Sequence, residues 1–267
     1  MLSFSVARSA QAVADAKQVR WQVYREEEGM LPADAAAREL EVEPVHARGP
    51  VADLLVYSGT EPVGSLRLQV GQATSTGGLG GSGLELASKL ALSGFNERGT
   101  VLGEVTRFCV LRAFRGTRAA ALLFSGLRRE SALRGVSHWL AAANMETDSS
   151  EDADIAYRLV QQKDLVSRDF AARAREASGP TPSPRRSLYT DDQRRAARSG
   201  CLTALTLPKT LALFATKMGA RYLGPPIYDH YFNVFALPLA VRLEDLALTT
   251  TPRQSTAEIS PRAEHFL

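Results

Sequence analysis

The stretch GEVTRFCVLRAFRGTRAAALLFSGL, residues 103–127, sets a carboxylate, Glu104, three positions before a guanidinium, Arg107. A carboxylate in an apolar run is a candidate general base, because burial disfavours its charged form and lifts its pKa toward the range where it can take a proton at neutral pH. The other reading is a structural ion pair between Glu104 and Arg107 or another arginine. Strand parity bears on both. In a regular strand residues 104 and 107 point to opposite faces, so a shared site needs a β-bulge between them.

The same stretch then passes through an Arg-Gly turn. A strand ending near Leu111 would hand over to a helix beginning at Thr117, whose hydroxyl can cap it. The first turn of a helix has backbone N–H groups without internal partners and carries partial positive charge, which makes a phosphate a natural ligand. Gly116 lets the backbone come close, and Arg112, Arg115 and Arg118 add charge around it. Many strand-to-helix junctions look similar and bind nothing. Cys109, in the strand without a histidine partner, reads as an inert buried thiol, and His230 as a turn residue.

The elements that would position these groups follow from periodicity. Residues 9–28 carry apolar positions at helical spacing, with Ser9 as N-cap and Gly29 as stop. ADLLVYSGTEPVGSLRLQV reads as a β-hairpin about Gly59, and GQATSTGGLGGSG as a glycine-rich loop or lid. Next come a short helix at 84–92, a strand at 101–111, a helix at 117–134 and a strand at 136–143. That order is a βαβ unit, whose two strands lie parallel. Residues 151–176 read as a polar helix, ASGPTPSPRRS as a proline-rich linker, and 208–218 as a helix ended by Gly219. RYLGPPIYD and YFNVFALPLAVRL read as closing strands. The expected organisation is one α/β domain over 1–250, with a mixed twisted sheet flanked by helices, an insertion at about 148–205 and a disordered tail at 251–267.

Composition narrows the function. With 45% hydrophobic and 23% charged residues among 267, the chain has the make-up of a soluble globular enzyme. No apolar run approaches a membrane span and no signal peptide is evident, so a cytoplasmic location is expected. Two cysteines and four scattered histidines predict no metal site. The arginines of 107–134 suit an acidic partner or a phosphate, and without interleaved exposed aromatics they do not suit nucleic acid.

In order along the chain, VRWQVYREEEGM, PVGSLRL, GEVTRF with its following RGTRA, and LPKTLALFATKMGARYLGPPIYDHYF resemble the GCN5-related N-acyltransferase fold. Within it they are similar to the branch of acyl-homoserine lactone synthases, long-chain N-acyl amino acid synthases and ornithine-lipid N-acyltransferases. The resemblance covers most of residues 5–248. It implies acyl transfer from a thioester to an amine, with no bound cofactor, and a β-bulge in the strand of Glu104 whose N–H groups stabilise the oxyanion. Glu104 and Arg107 would be catalytic. Arg112, Arg115, Gly116, Thr117, Arg118 and Ala119 would hold the phosphopantetheine phosphate of an acyl carrier protein or of coenzyme A.

The resemblance further implies acceptor-binding roles for Arg20, Arg67 and Asp229. The residues themselves leave open a charge network for the two arginines and a turn-stabilising role for Asp229. Phe108, Phe124, Trp139 and Phe232, with Phe235, are either core or the wall of an acyl tunnel. Two departures matter. The family loop R-G-x-G has Arg118 at its second glycine, which favours a carrier protein as donor. The acidic D-x-x-D of lactone synthases is replaced by Glu43-Pro-Val-His46, which argues against a lactone synthase using S-adenosylmethionine. Ornithine-lipid formation would bring peripheral membrane contact, and a non-catalytic carrier-binding module is the alternative outside enzymes.

Overall fold

The computed structural model describes residues 1–31, 50–72, 83–95, 100–175 and 186–249. Glu43 and His46, most of the glycine-rich segment, most of the proline-rich linker and the tail lie outside the described residues. The chain opens with an edge strand, β1 (Leu2–Val6), which is absent from the sequence expectation because LSFSV is too short to stand out. Helix α1 (Ala10–Trp21) follows, capped by the Ser9 side chain, which accepts from Ala12 N–H at 3.1 Å. It continues as a π-helical turn over Gln22–Glu27, and Gly29 then takes φ +59°.

The expected hairpin is β2 (Val51–Ser58) and β3 (Glu61–Gln72). The 84–92 segment divides into a one-turn helix, α2 (Leu86–Lys89), and a strand, β4 (Leu90–Ser93). The βαβ unit is β5 (Val101–Val110), α3 (Ala119–Leu133) and β6 (His138–Asn144). After α4 (Ser150–Gln162) come β7 (Ala171–Ala174), α5 (Asp191–Arg198) and α6 (Lys209–Met218). The chain closes with β8 (Arg221–Tyr222), β9 (Ile227–Asp229), β10 (Val234–Arg242) and α7 (Leu243–Thr249).

The main sheet has the order β1-β2-β3-β5-β6-β10-β8, with β9 also on β10. Its β5–β6 pair is parallel, as the crossover through α3 requires. The other strand pairs of this sheet are antiparallel among the described residues. Each face carries its own core. Trp139 and Ala143 of β6 and Leu237, Leu239 and Val241 of β10 pack with Leu123 and Leu127 of α3 and Leu211 of α6. Leu140 of β6, Ala240 of β10 and Leu102 of β5 point the other way, against Leu86 and Leu90. Close packing of α3 on the sheet edge depends on Gly126, where a Cβ would fall 2.0 Å from the ring of Phe4.

The stretch 151–176 departs from its expectation. Helix α4 stops at Gln162, Asp164 takes φ +51°, and residues 171–174 instead pair with β4. Tertiary packing outweighs local propensity there, since Ala172 is buried against the β4 cluster. Helix α4 is also more than part of an insertion. Ala153, Ala156 and Val160 belong to the main core, while Ile155 and Leu159 meet Ala197 of α5 and Leu205 on its outer side.

Candidate active site

The site arises where two parallel strands part. β5 and β6 pair at Leu102–His138, Gly103–Trp139 and Glu104–Leu140, and no further. Beyond that point β5 stays with β3 as far as Val110 and β6 stays with β10 as far as Asn144. A cavity of about 240 Å³ opens in the gap, lined by residues 105–108 of β5 and 141–144 of β6. Side chains of both parities line it, Val234 and Ala236 as well as Leu239 and Val241 on β10, so the cavity reaches both faces of the sheet.

A bulge settles the parity question for Glu104 and Arg107. Arg67 of β3 faces Thr106 and Ser65 faces Cys109, so two steps on β3 match three on β5. The extra residue lies at Arg107–Phe108, and Arg107 takes φ +56°, a conformation that non-glycine residues seldom adopt. Its effect is to return Arg107 to the face of Glu104. Phe108 is sent to the opposite face, with its ring centroid 5.0 Å from that of Phe124 on α3.

On the Glu104 face the cavity is polar. The carboxylate of Glu104 is buried and accepts the Leu86 N–H at 3.1 Å with each oxygen. Burial, then the like charge of Glu85, pushes its pKa up to about 7, against the pull of the Leu86 and Glu85 N–H groups and of Lys89. Glu85 lies 3.4 Å from Arg107 Nη2 and 3.2 Å from Lys89 Nζ, and Lys89 reaches Asp229 at 3.3 Å. Burial works against the Lys89 ammonium, but Asp229 and Glu85 together hold its pKa above the ordinary value. Asp229 also accepts the Tyr231 N–H at 2.9 Å, so the turn-stabilising role and a place at the cavity coexist in one residue.

On the opposite face the wall is apolar. Phe124, Trp139, Phe214, Met218, Leu239 and Val241 line that part of the cavity. The one polar atom of Trp139 is turned away, donating to Ser131 Oγ at 2.8 Å. Phe108 lines the cavity while remaining 40% exposed, which puts it at the mouth. Phe232 lines the same cavity as Trp139, from the polar side. It packs on Tyr24 at 4.8 Å and lies under the guanidinium of Arg107 at 5.9 Å. Phe235 is core.

Arg20 and Arg67 do not reach the cavity. Arg20 Nη2 bonds Asp53 Oδ1 and its Nε donates to Ser65 at 3.1 Å. Arg67 binds both oxygens of Asp53, at 2.9 and 3.1 Å. The geometry is that of a buried charge network centred on Asp53, because a carboxylate between α1, β2 and β3 must be neutralised on the spot. Burial raises the Asp53 pKa, yet the two arginines outweigh it and hold the group below its ordinary 3.8.

The strand-to-helix junction is exposed, and its helix begins two residues later than the sequence reading has it. Arg118 stands at the N-cap without a side-chain bond, while Thr117 Oγ1 accepts from Ala119 N–H at 3.2 Å. A Cβ at Gly116, with φ +82°, would meet nothing within 4 Å. Arg115 pairs with Glu27 at 2.7 Å and Glu28 at 2.9 Å, and Arg112 donates its N–H to Glu27 at 2.8 Å. Cys109 packs with Val19, Val23 and Tyr24. Sequence reasoning missed Glu85 and Lys89. Their signal is the acid-to-lysine i,i+4 spacing of ELASK directly after the glycine-rich segment.

No group of three or more His, Cys, Asp or Glu is placed to hold a metal ion among the described residues, and no helix there is long and apolar enough to cross a membrane. Residues 19–125 match the acetyltransferase (GNAT) domain family. No curated protein matches the chain in sequence. Solved structures that it resembles include FeeM, an N-acyl amino acid synthase from uncultured soil microbes, at 11% identity, with 92% of each chain covered and a TM-score of 0.49. Another is BjaI, a CoA-dependent acyl-homoserine lactone synthase with MTA, at 13% identity, 93% of this chain and 87% of that one, TM-score 0.45. A third is an aminoglycoside 6'-N-acetyltransferase complexed with coenzyme A, at 13% identity, 91% and 97% coverage, TM-score 0.44.

Proposed function

We propose, from the acetyltransferase (GNAT) domain that this chain carries, that it moves a fatty acyl group from an acyl carrier protein thioester to the amine of an amino acid or a similar small metabolite. The observation that carries the reading is the cavity through the sheet, with buried Glu104 at its polar end and an apolar chamber on the opposite face. The acyl chain takes the chamber, which places its carbonyl in the gap between β5 and β6. The acceptor amine comes from the side of Glu104, Arg107 and Lys89.

The chemistry follows from those positions. Glu104 takes a proton from the acceptor's ammonium group, directly or through a water, and the freed lone pair attacks the thioester carbonyl. Backbone N–H groups of the parted β5 strand at the bulge face the developing oxyanion. Collapse of the tetrahedral intermediate breaks the C–S bond and leaves the amide; of the two protons that the ammonium nitrogen loses, the one taken by Glu104 passes on to solvent and the one shed by the attacking nitrogen after attack leaves with the sulfur as a thiol. Arg107, fixed by Glu85, orients the acceptor, and binding both reactants in line supplies much of the rate.

The test is a mass-spectrometric scan of products after mixing the protein with carrier-protein thioesters of several chain lengths and a pool of amino acids, ornithine and S-adenosylmethionine. An N-acyl product identifies both substrates. Thioester that stays intact while the carrier binds would overturn catalysis and leave a binding module.

A further inference from the structure

The junction between β5 and α3 holds an anion of the chain's own making. Glu27, on the π-helical turn after α1, places Oε1 2.8 Å from the Arg112 N–H and Oε2 2.7 Å from Arg115 Nη2. Its carbonyl accepts from Arg112 Nη2 at 2.8 Å, and Glu28 Oε1 takes the remaining arm of Arg115 at 2.9 Å. Both glutamates therefore pair with Arg115, the Arg112 guanidinium rests on a main-chain carbonyl, and two carboxylates stand against three arginines at the junction. Arg118 is the exception, with no ion-pair or hydrogen-bond partner for its side chain among the described residues.

The count has a consequence for the donor. The phosphopantetheine of a carrier protein brings one phosphodiester, with a single negative charge, whereas in coenzyme A the same phosphate is half of a pyrophosphate and a 3'-phosphate is added. A junction left with one uncompensated cation matches the first. The second would set several negative charges beside Glu27 and Glu28, and like charges at short range are unfavourable. We propose that Glu27, seconded by Glu28, determines donor selectivity by occupying Arg115 and offsetting most of the positive charge at the junction, so that a phosphodiester-linked thioester is accepted and a nucleotide thioester is disfavoured. This rests on the acyl-transfer reading above.

The experiment compares kcat/KM for acyl carrier protein and for acyl-coenzyme A with the same acyl group, in the wild type, Glu27→Gln, and Glu27→Gln with Glu28→Gln. The wild type should favour the carrier protein. Freeing the Arg115 guanidinium and removing negative charge beside it should raise kcat/KM for acyl-coenzyme A by about five- to tenfold, more in the double variant, and the gain should shrink with added salt. A donor preference that stays the same in both variants, with their unfolding midpoints unchanged, would overturn the inference while leaving acyl transfer intact. So would a wild type that prefers acyl-coenzyme A. Should Glu27→Gln fail to fold, Glu28→Gln alone carries the same comparison, since Glu28 lies further out on the surface. Absence of N-acyl product with either donor would instead overturn the underlying activity, and this inference with it.

Discussion

The carboxylate of Glu104 on β5 takes both of its oxygens to the N–H of Leu86, 3.1 Å away, at the start of the one-turn helix α2. The contact ties the central strand to a segment 18 residues earlier and brings Glu85 and Lys89 to the same end of the cavity. A buried carboxylate held by N–H groups would ordinarily stay ionised at low pH. Here burial and the neighbouring charge of Glu85 outweigh them and raise the pKa to about 7.

If Glu104 is the base, Glu104→Gln lowers turnover by about 10²–10⁴-fold and leaves donor binding in place. In the wild type kcat/KM should climb with pH through about 7, as the carboxyl ionises. Stability moves the opposite way. Between the ordinary 4.5 and about 7 the folded state keeps a proton that the unfolded chain has released, so Glu104 weakens the fold as pH rises through that window. The melting point of the Gln variant should exceed that of the wild type by a margin that grows over this range and then levels off. An equal margin at all pH values would remove Glu104 as the buried titrating group.

Glu85→Gln tests the charge that faces Glu104. Glu85, just before α2, and Lys89, at its end, act on that carboxylate, with Arg107 of β5 paired to Glu85 and Asp229 of β9 paired to Lys89. Removing the acid deletes a like charge and releases Arg107 from its partner, and both changes favour ionised Glu104. The acid limb of the pH–rate profile should shift to lower pH, with KM for the acceptor altered through Arg107. An acid limb that stays put would mean that another group titrates there.

What the sequence makes legible depends on how local the cause is. The βαβ unit, the hairpin and the Ser9 cap are local, and the chain forms each of them. The pair Glu104 and Arg107 stands out in GEVTRF, but spacing alone places the two on opposite faces, and only the register between β3 and β5 shows the extra residue that reunites them. Glu85 and Lys89 matter because of where α2 docks, which no periodicity encodes over four residues. Arg20 and Arg67 look available for a substrate until Asp53, a single acid in the apolar run ADLLVY, is seen to take both. Strand β7 lies in a stretch with helical character whose pairing is set by β4, some eighty residues earlier in the chain.

The Asp53 network should govern stability and leave acceptor recognition alone. Asp53→Asn leaves Arg20 and Arg67 buried with uncompensated charge and should cost about 3–5 kcal/mol in urea unfolding. Because the Asp53 pKa is lowered, its contribution is fully present above the ordinary 3.8 and fades as pH falls through the lower folded value. Arg67→Met should likewise lower stability without changing the acceptor's KM. A raised KM in a folded Arg67→Met protein would restore that arginine to the acceptor site.

The chamber on the apolar face makes a prediction about chain length. Ala141 lies on β6 at the gap, where the cavity passes from Glu104 toward Trp139, Phe214 and Met218. A small side chain there keeps the passage open, and Ala141→Leu would fill it with three further carbons. Long acyl donors should lose roughly 10- to 200-fold in kcat/KM, the range that one misplaced aliphatic group costs in an apolar pocket, while an acetyl donor changes far less. Phe214→Ala should act in the opposite sense, deepening the chamber at the α6 side and moving the preference to longer chains. The check is a chain-length series on each variant with a fixed acceptor. Equal losses for acetyl and long-chain donors in Ala141→Leu would mean that the acyl chain does not thread the sheet and that the chamber beyond the gap is only core.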